Sequence, residues 1–220
     1  MNRGPVTYER VSLKAVWGGN VAKWAGPIAL LALTMSSASC GDLTREGTAS
    51  SYLVINALEG ASGAQPQLFG ATLNSDVITF VDGSPTIFSD LGRVRLTLAM
   101  KDAGSVDSPT SPTVNNFITI TRYRVRFTRA DGRNTPGVDV PYGFDGAFTG
   151  TVAAGEFTAA FELVRHIAKE ESPLQALARN RAVIISTIAE VTFYGHDQTG
   201  RDVSVTGQML VSFGDFGDPS

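Results

Sequence analysis

Cysteine is almost missing from this chain: Cys40 is the only one in 220 residues. No internal disulfide can form, and no set of thiolates exists to hold zinc. Histidine is nearly as scarce. His166 and His196 are the only two, and His166 is followed by Ile167-Ala168-Lys169-Glu170 rather than by a second ligand. Lysine also thins out, since beyond residue 39 only Lys101 and Lys169 remain against twelve arginines. The first 39 residues hold four of the 18 Lys and Arg and one of the 21 Asp and Glu, which leaves the remainder at net −6. With no net basic field to release counterions, a nucleic-acid partner is not expected. The chain has no G-x-S-x-G elbow and no phosphate-binding glycine loop. Asp215-Phe216-Gly217 spells the kinase metal-binding triplet, but none of the partners that triplet needs is present. No catalytic residue, cofactor or metal is therefore expected.

What is present is concentrated near the start. Arg3, Arg10, Lys14 and Lys23 face a single acid, Glu9, and precede the twelve mostly apolar residues Trp24 to Met35. Ser36-Ser37-Ala38-Ser39-Cys40 closes the segment. A basic region, an apolar region and a small-residue region in that order make a secretory signal. The apolar run falls short of the roughly 20 residues a spanning helix needs, and it contains Gly26 and Pro27.

Small residues directly before a lone cysteine resemble the lipobox of bacterial lipoproteins. Ala38 and Ser39 match that pattern, and Ser37 stands where the family usually has Leu. The resemblance implies that residues 1–39 are removed, that Cys40 is the lipid attachment site, and that 40–50 form the anchor and tether. An ordinary signal peptidase cutting after Ser39, with Ser37 and Ser39 as its small residues, is the alternative; an uncleaved anchor is a third. Lipidation gives an odd thiol in an oxidising compartment a use. More than one acyl chain gives stable membrane binding. Gly41, not Asp, follows the cysteine, which by the same resemblance favours the outer over the inner membrane.

The rest is long enough for one domain, 51–216, with 217–220 as a tail. Arg93 to Lys101 alternates, with Val94, Leu96, Leu98 and Met100 on one face. Phe157 to Leu163 and Val203 to Phe213 do the same. Val183 to Tyr194 is long and apolar on both faces, which predicts a central strand. Tyr52–Leu58, Asp76–Val81 and Phe148–Val152 are shorter strands. In Phe117 to Phe127 the apolar positions are even at Ile118 and Ile120 but odd at Tyr123, Val125 and Phe127, so a β-bulge or bend is predicted near Thr121 and Arg122.

Ser172, Pro173 and Gln175 read as the N-cap, first position and capping box of a short helix over 173–179, with Asn180 as a left-handed C-cap. Seven or more strands with turns between them predict an all-β, antiparallel sandwich. A short helical link before a final hairpin, 182–194 with 202–213, resembles the architecture of Ig-like domains, without the antibody-type cysteine pair. A closed barrel is the alternative.

Four groups are candidates for function, each beside a plainer reading. His196, Asp197 and Asp202 in the Gly195–Asp202 loop supply oxygen donors for a cation, or simply a polar hairpin. Arg122, Arg124 and Arg126 share a strand face about 7 Å apart, as an anion or acidic-glycan patch or as an outward face balanced by Glu162 or Glu190. Tyr142 and Phe144 in the loop Asp131 to Asp145 offer rings for a sugar or peptide; with Val138 and Val140 they otherwise form a further strand. Asp215 and Asp218 beside Gly214 and Gly217 join a cation site or end a solvated tail. The expected protein is an exported, lipid-tethered, non-enzymatic Ig-like module of a bacterial envelope, with a protein or glycan ligand. A carbohydrate- or small-ligand-binding module comes next, and a secreted enzyme last.

Overall fold

The computed structural model describes residues 47–217. The expected export segment, Cys40 and Asp218 lie outside the described residues. Seven long strands carry the fold: β1 (Ser51–Ala61), β5 (Asp90–Met100), β8 (Ile118–Thr128), β9 (Phe144–Val152), β10 (Glu156–Val164), β11 (Ile185–Asp197) and β12 (Asp202–Gly214). Among them lie β2 (Thr72–Asp76) and two small hairpins, β3 (Thr79–Val81) with β4 (Ser84–Thr86) and β6 (Gly104–Ser105) with β7 (Ser108–Pro109).

One sheet runs β1-β5-β10 and the other β2-β12-β11-β8-β9. Taken in chain order, the first, second and fifth long strands make one layer, and the third, fourth, sixth and seventh make the other. That partition makes a two-layer β-sandwich; it differs from the constant-type immunoglobulin arrangement in placing the fourth long strand with the third, sixth and seventh. β11 is the central strand of its sheet and pairs with β12 as the predicted hairpin. It is not apolar on both faces, because Glu190, Thr192, Tyr194 and His196 point outward while Ala189, Val191 and Phe193 are buried. One pairing departs from the antiparallel expectation. The chain doubles back after Ala61, and β2 joins the edge of β12 in parallel register. The single strand expected over Asp76–Val81 is accordingly broken into the end of β2 and the start of β3. The Asp76 carboxylate causes the turn by accepting Thr79 Oγ1–H at 2.8 Å and Phe216 N–H at 3.1 Å.

The bulge in β8 is where the sequence put it. Both ladders shift register there: Tyr194 pairs with Arg122 but Gly195 with Ile120, and the β9 ladder slips between Ile120 and Arg122. Thr121 is the surplus residue and is exposed. It lets Ile118, Ile120, Tyr123, Val125 and Phe127 all reach the core.

Phe161 and Tyr123 each lie over their own cross-strand partners, Gly92 and Gly146, where a side chain would collide with the ring. Tyr123, Phe148, Phe161 and Phe193 stack edge-on in the centre.

The helical link between β10 and β11 is built differently from the expected cap-to-cap helix. A short α-helix, α1 (His166–Glu170), comes first, and a 3₁₀ turn spans Leu174–Leu177. Pro173 is the residue before that turn, so Ser172 does not cap it. Arg179, not Asn180, takes the left-handed conformation at φ +64°. Its N–H is held by the Asp215 carboxylate at 2.6 Å.

Candidate functional site

The outward face of the larger sheet gathers most of the candidate residues. Arg122, Arg124 and Arg126 project from β8 because the bulge resets them to the solvent phase. Their counter-charge is Asp145, one strand over on β9. Arg124 binds it in a fork, Nε to Oδ1 at 3.0 Å and Nη2 to Oδ2 at 3.0 Å, and Arg122 Nη1 adds a third contact at 3.0 Å. The acids named from sequence are engaged elsewhere. Glu162 accepts Ser89 Oγ–H at 2.6 Å. Glu190 faces Arg126 in the ladder but accepts from Gln208 at 3.4 Å.

Hydrogen bonds from Arg124, with both guanidinium charges, hold the Asp145 carboxyl below its ordinary 3.8. A lowered carboxyl contributes stability that is present above the unfolded value and lost as pH falls through the folded one. Asp145→Asn is therefore expected to lower the urea midpoint slightly at neutral pH. That difference should narrow toward acid and in high salt, because the cluster is exposed. Urea titrations of both proteins at two pH values and two salt concentrations measure it.

Two open clefts flank this cluster. One, about 430 Å³, is lined by Thr121, Arg122, Tyr194, His196, Asp202 and Ser204. The Arg122 guanidinium lies 3.7 Å over the Tyr194 ring at its edge. The other, about 460 Å³, holds Arg124 and Arg126 between Asn134, Pro136 and Pro141.

The structure brings His196 and Asp202 together as cross-strand partners on the lip of the first cleft. It separates them from Asp197, which is buried and turned inward. Burial pushes the Asp197 carboxyl up, but hydrogen bonds from Thr199 and the Arg201 N–H outweigh it and leave it lowered. Asp197 Oδ1 thus closes the β11–β12 turn, taking Thr199 N–H at 2.9 Å and Arg201 N–H at 3.0 Å. Among the described residues no group of three His, Cys, Asp or Glu could hold a metal ion.

The aromatic pair is split. Phe144 opens β9 and is buried in the ring cluster beside Tyr123. Tyr142 is 53% exposed and lies over Gly137. Val138 to Phe144 does not form one strand, since Val140 and Phe144 face in while Val138 faces out. Asp215 is neither a cation ligand nor a frayed end. Its side chain is 6% exposed and takes Arg179 N–H and Arg181 Nε–H, pinning the segment that follows β12 to the 174–184 link. His166 begins α1, and its N–H is held by Ser89 Oγ at 3.2 Å.

The most unusual chemistry lies where no motif pointed. Lys169 of α1 is 2% exposed and Asp90 of β5 is 0% exposed. Lys169 Nζ donates to Asp90 at 2.9 Å and to the Asp76 carbonyl at 2.8 Å. Asp90 also accepts Ser75 Oγ–H at 2.5 Å and Gly63 N–H at 2.9 Å. Burial pushes both acids, Asp90 and Asp76, above their ordinary value. One signal in the sequence could have found this site. Asp90 shares the even, inward phase of Val94 and Leu96, so extending that alternation backward by two steps places a carboxylate in the core.

The fold and this surface define an all-β sandwich with an open, arginine-bearing sheet face. Comparison with protein-family models, curated proteins and solved structures returns no match.

Proposed function

We propose that the chain is an exported lipoprotein whose Ig-like sandwich is a non-enzymatic binding or structural module, held on a bacterial envelope membrane by lipid on Cys40. The observation that carries this reading is the lone cysteine behind a basic and then apolar N-terminal segment. Lipidation uses the only thiol in an exported chain, and Gly41 favours the outer membrane. Six residues lie between Cys40 and Gly47, so even a fully extended tether of seven residue steps keeps the domain entrance within about 25 Å of the lipid. The partners are the membrane, through the lipid, and a protein or glycan ligand; the net acidic domain disfavours nucleic acid. A second reading, capture of a carbohydrate or other small ligand, draws support from the cleft in which Tyr194 and Arg122 stack beside His196.

Fractionation of cells expressing the full chain tests the anchor. The wild-type protein is expected in the membrane fraction, and Cys40→Ser is expected in the soluble one. Equal membrane retention of the two would overturn lipid anchoring.

A further inference from the structure

Lys169 Nζ lies 2.9 Å from both carboxylate oxygens of Asp90. The two side chains are shut away from water, at 1% and 0% exposure. Solvent keeps a surface ammonium and carboxylate ionised, whereas burial disfavours both charges at once. Transfer of one proton from Nζ to the carboxyl turns two buried ions into an amine and a carboxylic acid in contact. Desolvation holds the Asp90 carboxyl above its ordinary 3.8 against the opposing pull of Lys169 and Ser75. The remaining contacts place a donor on each carboxyl oxygen and an acceptor on the nitrogen. Gly63 N–H is aimed at Oδ1 from 2.9 Å, and Ser75 Oγ–H at Oδ2 from 2.5 Å. The Asp76 carbonyl holds the nitrogen itself at 2.8 Å.

From this geometry we infer that Lys169 and Asp90 condense into an intramolecular amide that joins α1 to the first residue of β5. The Nζ lone pair attacks Cγ and the C–N bond forms, while Gly63 N–H stabilises the charge gathering on Oδ1. One of the two amine protons passes to the protonated Oδ2, relayed by the Ser75 hydroxyl. The Cγ–Oδ2 bond breaks and Oδ2 leaves as water. Oδ1 becomes the amide carbonyl and keeps the Gly63 N–H, and the remaining amide N–H keeps the Asp76 carbonyl.

The balance closes with one amide and one water, so no oxidant or co-reactant is needed. Bulk water opposes this reaction by ionising both partners and by mass action. A dry site removes both obstacles, and an oriented contact acts as an effective molarity of up to about 10⁸ M. The bond spans 79 positions of sequence in a chain with no cysteine pair to cross-link. It does not depend on the anchor at Cys40.

The test uses the wild-type protein, shown to be folded by its circular dichroism and then denatured for intact-mass measurement. The expected mass is one water below that required by its own measured N-terminus, and a protease digest should yield a branched peptide joining Asp90 to Lys169. Folded protein with no loss of water and with separate Asp90 and Lys169 peptides overturns the inference. A loss of water confined to an Asp90 peptide free of Lys169 overturns it too. Ser75→Ala leaves both reacting groups in place and is expected to slow cross-linking after refolding by roughly 100-fold. Cross-linking at the wild-type rate would remove the relay assigned to Ser75.

Discussion

Deletion of Thr121 is expected to abolish folding, whereas Thr121→Ala should leave the domain folded with stability within about 1 kcal/mol of wild type. The difference lies in what Thr121 contributes. Its side chain is exposed and makes one long hydrogen bond, Oγ1 to the Tyr194 carbonyl at 3.4 Å. Its backbone supplies the residue that β8 has in excess of β11, and β9 carries one residue more than β8 at the same point, so β8 changes from even to odd phase there. Without that residue one half of β8 must turn inside out. Either Ile118 and Ile120 leave the core, or Tyr123, Val125 and Phe127 leave it and Arg122, Arg124 and Arg126 enter. Each large apolar side chain removed from burial costs about 1.5–3 kcal/mol. Two or three such losses, about 3–9 kcal/mol together, rival the whole stability of a typical domain, about 5–15 kcal/mol, and the second alternative adds the cost of burying guanidinium groups. Far-UV circular dichroism and urea titration distinguish the two variants. A cooperative unfolding transition in the deletion variant would show that the bulge is dispensable.

The second large effect belongs to the buried Lys169–Asp90 site. Asp90→Ala is expected to lower stability by about 3–5 kcal/mol, because the Lys169 ammonium is left without its counter-ion in the interior. For a domain of this size that corresponds to a fall in Tm of roughly 6–20 °C. The double replacement Asp90→Leu with Lys169→Met should recover only part of the loss. It leaves no charged side chain in the interior, but Ser75 Oγ–H, Gly63 N–H and the Asp76 carbonyl still lose their partners. Thermal unfolding of the single and double variants measures both quantities. An Asp90→Ala effect no larger than that of a surface substitution would contradict the account of this site.

Much of the sandwich is legible along the chain because its signals are local. The phase switch at Thr121, the alternation of β5, β10 and β12, and the β11–β12 hairpin each occupy a few consecutive residues. The helical link between β10 and β11 is visible too, although its capping is not. Its left-handed residue is fixed by the Asp215 carboxylate, 36 positions away. Distance along the chain hides the rest. The parallel β2–β12 pairing joins residues far apart in sequence, and Lys169 meets Asp90 and Asp76 across 79 and 93 positions. The counter-charge of the arginine row went to Asp145 for the same reason. Its place opposite Arg124 depends on the register that the bulge imposes. Tyr142 and Phe144, two apart in a loop, were separated because one seats in the ring cluster around Tyr123 and the other covers Gly137.

The arginine face, the two clefts and the buried Lys169–Asp90 site all belong to a module whose proposed setting rests on Cys40. The most direct test of that setting is mass spectrometry of the N-terminal peptide from membrane-extracted protein. The account predicts a chain beginning at Cys40 with a diacylglyceryl group on its sulfur. An unmodified Cys40 thiol, or a mature terminus at any other residue, would contradict it.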